Sequence, residues 1–153
     1  MTPTRMHTGE LVVSLLQTGD DARACARLMA TSEPWITLGR SYETSLNIIQ
    51  DPSREVYLVR RGVHPDGLHR SGPTGAGLGS KLVEFAEQRI LQVSPNIFLC
   101  VSSFNQGARR LYEQLGYTVV GELTDYIVRG HSELLLRKTT GPLTGFSAKV
   151  PRG

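Results

Sequence analysis

Apolar positions along the chain switch between two periods, and the switches mark its elements. Leu11, Val13 and Leu15 recur at every second position, which predicts a strand over Glu10–Gln17. Thr18-Gly19-Asp20-Asp21 then offers a cap, and Ala22, Cys25, Leu28 and Met29 follow at helical spacing, so a helix ends near Ala30. Pro34 and Gly39 bracket a short apolar connection, Trp35–Leu38. Tyr42, Leu46 and Ile49 mark a second helix from about Arg40 to Gln50, stopped by Asp51-Pro52-Ser53. Glu55–Val59 reads as a second strand.

The pattern then fails. Arg60–Thr74 holds Gly62, Gly67, Gly72, Pro65 and Pro73 with almost no apolar residue, which is the composition of a loop. Periodicity returns after Thr74-Gly75-Ala76-Gly77-Leu78-Gly79-Ser80, where glycines at alternate positions run into the helical face Leu78, Leu82, Phe85, Ala86 and Ile90. Asn96–Val101 is a continuous apolar run and suits a strand covered on both faces. Ala108, Leu111, Tyr112 and Leu115 form another helical face, with Gly116 placed to end it in a left-handed turn. Tyr117–Gly121 and Glu133–Arg137 read as further strands, residues 1–9 as a loose start and residues 139–153 as a frayed tail. This order predicts an α/β (α+β) domain, residues 1–138, with helices flanking a mixed sheet, followed by a C-terminal tail, 139–153.

Composition narrows the classes without choosing one. A chain of 153 residues, 39% apolar and 20% charged, is long enough for one domain with a real core. A net charge of +3 suits an anionic ligand and is too small and too scattered to argue for nucleic acid. The apolar run from Leu11 to Leu16 is far too short for a membrane span, and no signal-peptide pattern is present, so the default expectation is a cytoplasmic protein. Cys25 and Cys100 each sit among apolar neighbours, which predicts two buried thiols rather than a disulfide or a metal pair. His64 and His69 lack a convincing ligand set around them, so no metal is expected.

The chemistry concentrates in the glycine stretch. A helix start leaves about four backbone N–H groups unpaired and carries roughly half a positive charge. Glycines clear away side chains so that an anion can approach those amides. Residues 75–80 therefore read either as a phosphate cradle or as a plain flexible loop before a helix. A dinucleotide fold would need a strand before the glycines and a glycine where Ser80 stands. A P-loop would need Gly-Lys-Ser/Thr, which Gly79-Ser80-Lys81-Leu82 does not supply.

The segment Asn105-x-x-Ala108-x-x-Leu111-Tyr112-Glu113-x-Leu115-Gly116-Tyr117 separates these readings. Together with the glycine-rich helix start about 25 residues earlier, it resembles the GNAT family of acetyl-CoA-dependent N-acetyltransferases. Thr74-Gly75-Ala76-Gly77-Leu78-Gly79 aligns with that family's loop motif, although Thr74 stands where Gln or Arg is usual. The resemblance implies a mixed, mostly antiparallel sheet with flanking helices and acetyl-CoA as cosubstrate. It implies that the amides of Gly75, Ala76, Gly77, Leu78, Gly79 and Ser80 hold the pyrophosphate, that Asn105 bonds the pantetheine region, and that Tyr112 is the general acid for the leaving thiolate. Asn105 could equally cap the helix that follows it, and Tyr112 could equally be core packing. The implied partner is a small-molecule or peptide amine, and a homodimer is common in the family. The family also has two strands between the counterpart of Glu55–Val59 and the glycine loop. Here only about 15 residues intervene, so that hairpin is expected to be missing or altered, and the residues name no general base. The competing expectation is a non-catalytic acyl-CoA-binding domain that keeps the phosphate loop without turnover.

Overall fold

The computed structural model describes residues 6–8, 11–61 and 77–149, which divide into two compact units, 1–72 and 73–153. The first unit contains β1 (Met6–Thr8), β2 (Leu11–Leu15), α1 (Gly19–Ala30), α2 (Tyr42–Ile49) and β3 (Tyr57–Arg61). Its strands form an antiparallel sheet in the order β1-β2-β3, with Val13 opposite Val59. β1 pairs with β2, so residues 6–8 belong to the sheet, where composition suggests a loose start. The Thr18 side chain caps α1 by accepting from the Asp21 N–H at 3.1 Å, and Ser41 does the same for α2 from Thr44. Buried Ala22, Ala26 and Ile49 form the core of this unit, with Leu16, Cys25, Met29, Leu46 and Val56 packed against them. Small side chains at Ala22, Ala26 and Ser45 let the two helices lie close.

The second unit contains α3 (Leu78–Ile90), β4 (Asn96–Ser102), α4 (Gln106–Gln114), β5 (Thr118–Leu123) and β6 (Glu133–Thr139). The strands run antiparallel in the order β4-β6-β5, with Leu99 opposite Leu136. Ile97, Val101, Tyr117 and Leu136 are buried together, and Val83, Ile90, Leu91, Ala108, Tyr112 and Leu115 from the two helices and their ends pack on them. One sheet face is therefore covered by α3 and α4. The apolar run in β4 predicts cover on both faces, but its residues alternate: Ile97 and Val101 are buried, while Phe98 is 57% exposed. The two thiols also depart from expectation. Cys25 is half-buried and Cys100, on the same face as Phe98, is exposed; neither is in a disulfide.

The C-terminal segment is tied down as far as Lys149. The Thr140 N–H donates to the Pro95 carbonyl at 2.9 Å and the Lys149 N–H to the Gln92 carbonyl at 2.7 Å. Composition misses this because main-chain hydrogen bonds do not depend on side chains. Gly75, Ala76, His64, His69 and the segment expected to lack the hairpin, beyond Arg61, lie outside the described residues.

Candidate active site

Two helix starts and one strand edge of the second unit supply the site. Gly77 precedes α3 with φ +79°, a left-handed conformation that costs a residue with a Cβ roughly 1–2 kcal/mol. A Cβ there would meet no neighbour, so Gly77 serves the turn and leaves open space in front of the helix. The first main-chain bond into the helix is from Lys81 N–H to the Gly77 carbonyl at 3.1 Å. Among the described residues, the amides of Leu78, Gly79 and Ser80 have no acceptor, and no side chain caps the helix. Three adjacent donors thus remain at the positive end of a 13-residue helix.

Gly79 has a different task. A Cβ on it would stand 2.9 Å from Leu111 Cδ2, so its lack of a side chain lets the first turn of α3 press against α4. Helix packing by itself therefore asks for a residue without a Cβ at position 79. This contact joins the amide cluster to the residue beside Tyr112.

Asn105 is the N-cap of α4, its Oδ1 accepting from the Ala108 N–H at 3.2 Å. The capping role is present, and the Asn105 side-chain amide N–H₂ keeps its donors. Tyr112 packs its ring edge-on against Tyr117, centroids 5.8 Å apart, and is half-buried. Its hydroxyl has no hydrogen-bond partner among the described residues. Tyr117 is buried, and its phenol is pushed above the usual tyrosine range by lost solvent and by Glu87. Lys138 Nζ grips both oxygens of Glu87, at 3.0 and 2.9 Å, and lies 5.7 Å from the Tyr117 ring centroid. The wall behind Tyr112 is therefore a paired, partly buried charge cluster.

β4 runs alongside. It pairs with β6 on one side only, so among the described residues its other edge is unpaired. At its far end, buried Ser102 donates to Glu133 Oε1 at 2.6 Å. This buried pair has no signature in the sequence beyond a polar residue at the end of each strand. Cys100 is a poor nucleophile, since lost solvent and then Glu133 raise its thiol above the usual value. Lys81 is exposed, and Arg109 is paired with Glu113 at 2.9 Å, so neither is committed to a ligand. Trp35 lies under the Arg40 guanidinium at 4.8 Å, and Tyr42 lines a groove with Arg27, Leu28 and Thr31. Tyr126 is 64% exposed. No group of His, Cys, Asp and Glu among the described residues could hold a metal.

Comparison with known proteins bears on the fold. The family model for FR47-like proteins matches residues 70–127. Among curated proteins none matches this chain. Solved structures do. The spermidine N-acetyltransferase of Vibrio cholerae, in complex with CoA and spermine, aligns at 16% identity and TM-score 0.61 over 86% of this chain and 96% of its own. The aminoglycoside 6'-N-acetyltransferase of Enterococcus faecium aligns at 17% identity and TM-score 0.60 over 85% and 97%. The yncA protein of Salmonella typhimurium, solved with its cofactor acetyl-CoA, aligns at 13% identity and TM-score 0.60 over 94% and 99%. The chain has the α/β fold of the GNAT acetyltransferases.

Proposed function

We propose that this chain is an acetyl-CoA-dependent N-acetyltransferase that transfers an acetyl group to a primary amine by direct attack. The observation that carries the reading is the row of amides at Leu78, Gly79 and Ser80, which have no acceptor among the described residues and are opened by Gly77. Those amides, extended by Gly75 and Ala76, hold the pyrophosphate of coenzyme A, because a diphosphate matches both the donors and the sign of the helix end. Structural neighbours solved with CoA or acetyl-CoA support the same ligand. Acetyl-CoA supplies an activated acetyl group as a thioester.

The chain's own residues supply position and protons. The edge of β4 that is unpaired among the described residues offers main-chain groups to an extended pantetheine, and Asn105 adds side-chain N–H donors where that strand ends. Tyr112 gives its phenolic proton to the departing sulfur; its hydroxyl has no partner among the described residues. Holding amine and thioester in line supplies most of the acceleration. The acceptor is a small amine or a peptide amine, in keeping with neighbours described as spermidine and aminoglycoside acetyltransferases. Among the described residues no helix is long and apolar enough to cross a membrane.

Calorimetry with acetyl-CoA and with CoA, beside thiol release with a panel of amines, tests the reading. Binding with turnover supports it, binding without turnover leaves a non-catalytic acyl-CoA-binding domain, and absence of binding overturns both.

A further inference from the structure

The first unit carries a groove that acetyl transfer at the second unit does not use. It lies between the end of α1 and the start of α2, has a volume of about 660 Å³, and is lined by Arg27, Leu28, Ala30, Thr31 and Tyr42. That volume is within the range of small-molecule sites. The walls are mostly apolar and rest on the core. α1 buries Ala22 and Ala26, yet leaves Leu28 66% exposed on the groove. The Tyr42 ring packs against the same core from the other helix and forms the facing wall. An exposed leucine alone says little; here it shares a concavity with an aromatic ring and a cation.

The cation is Arg27. A basic residue in the last turn of a helix usually complements the terminal carbonyls. Two of those carbonyls are already served by hydroxyls: Thr31 Oγ1 donates to the Arg27 carbonyl at 2.9 Å and to the Leu28 carbonyl at 3.3 Å, and Ser32 Oγ donates to the Leu28 carbonyl at 2.6 Å. The acids of this unit are engaged elsewhere as well. Asp20 pairs with Arg23, Asp21 with Arg60 and Asp51 with Arg54, while Glu33 accepts from the Thr37 N–H and hydroxyl. Glu43, beside Tyr42 in sequence, is exposed and makes no ion pair with Arg27. Among the described residues Arg27 thus has no carboxylate of its own. A guanidinium beside apolar walls selects a ligand with two parts. Its planar donors match a carboxylate, and an apolar body displaces water from Leu28 and Tyr42. An amine with the same body meets like charge. We infer that this groove binds a small carboxylate that carries an aromatic or branched aliphatic body. The assignment stands apart from acetyl transfer, because every lining residue belongs to the first unit.

The test titrates the full isotopically labelled chain with phenylacetate, with 2-phenylethylamine and with acetate, reading main-chain amide shifts. Phenylacetate is expected to saturate with a Kd of about 1 mM and to move the amides of Leu28, Ala30 and Thr31. The amine, which has the ring without the negative charge, and acetate, which has the charge without the ring, are expected to show no saturation by about 20 mM. Arg27→Gln and Leu28→Ser should each weaken phenylacetate by at least about threefold. Both side chains are exposed, so the thermal midpoints should stay within about 3 °C of wild type. Absence of phenylacetate binding overturns the assignment, as does equal binding of the amine or of acetate. Shifts that appear at Leu78–Ser80 in place of α1 overturn it too, since they mark an anion on the other helix start. A change of less than about threefold in Arg27→Gln also overturns it.

Discussion

Replacing Gly79 by alanine separates the packing role of this glycine from the ligand role that its spacing suggests. The new Cβ would meet Leu111 Cδ2 at 2.9 Å, about 0.6 Å inside a normal carbon contact of ~3.5 Å. The clash is with the tip of a half-buried leucine, which can rotate away at roughly 0.5–1.5 kcal/mol. Gly79 is the second residue of α3, and alanine in a helix recovers about 0.5–1 kcal/mol of backbone entropy. The two effects nearly cancel, so Gly79→Ala is expected to move the thermal midpoint by less than about 3 °C. Turnover falls all the same, because Leu111 must shift on the helix that carries Tyr112. Valine at this site adds two methyls beyond the alanine Cβ, which one leucine rotation cannot clear, and costs about 2 kcal/mol or more. Thermal melts of Gly79→Ala and Gly79→Val, read beside Gly77→Ala, check this. Gly77 has no neighbour to strike but has φ +79°, so alanine there costs roughly 1–2 kcal/mol of strain with the packing intact. The reasoning is refuted if Gly79→Ala destabilises as much as Gly79→Val, or if Gly77→Ala is the more stable of the two alanine variants.

Further outcomes follow from the same geometry. Leu136→Ala removes a fully buried side chain from the centre of the second unit and should cost about 2–5 kcal/mol in denaturant unfolding. Asn105→Ala loses the cap on α4 and should cost about 1 kcal/mol by the same measurement, while weakening acetyl-CoA binding in calorimetry. Tyr112→Phe should keep acetyl-CoA affinity and slow turnover by about 100-fold in steady-state assays; equal loss of both would make Tyr112 a packing residue. Tyr117 ionises at a higher pH folded than unfolded, so above about pH 10 the unfolded chain sheds a proton that the folded chain keeps, and stability falls as pH rises. Tyr117→Phe should flatten that alkaline decline in chemical unfolding curves.

Much of the fold is legible in the chain because local rules and packing agree. Thr18, Ser41 and Asn105 each cap the helix that the apolar spacing predicts, and Gly116 ends α4 with φ +95°. Where the reading fails, the cause is tertiary. The run Ile97–Val101 has the composition of a doubly covered strand, yet burial there follows which side α3 and α4 occupy. Residues 140–149 look frayed because they hold through backbone carbonyls at Pro95 and Gln92, which composition does not encode. Spacing alone cannot divide the work between Gly77 and Gly79, since one answers to a dihedral angle and the other to a leucine 32 residues later on a different helix. Glu133 escapes notice for a similar reason: its partner Ser102 is brought opposite it only by strand register.

The most direct test of the central claim is an amide-resolved titration of the isotopically labelled chain with acetyl-CoA, followed by heteronuclear NMR. The account predicts that the N–H signals of Leu78, Gly79 and Ser80 shift most strongly and saturate together. Saturable binding that leaves those three amides unmoved, or no binding at all, would contradict it.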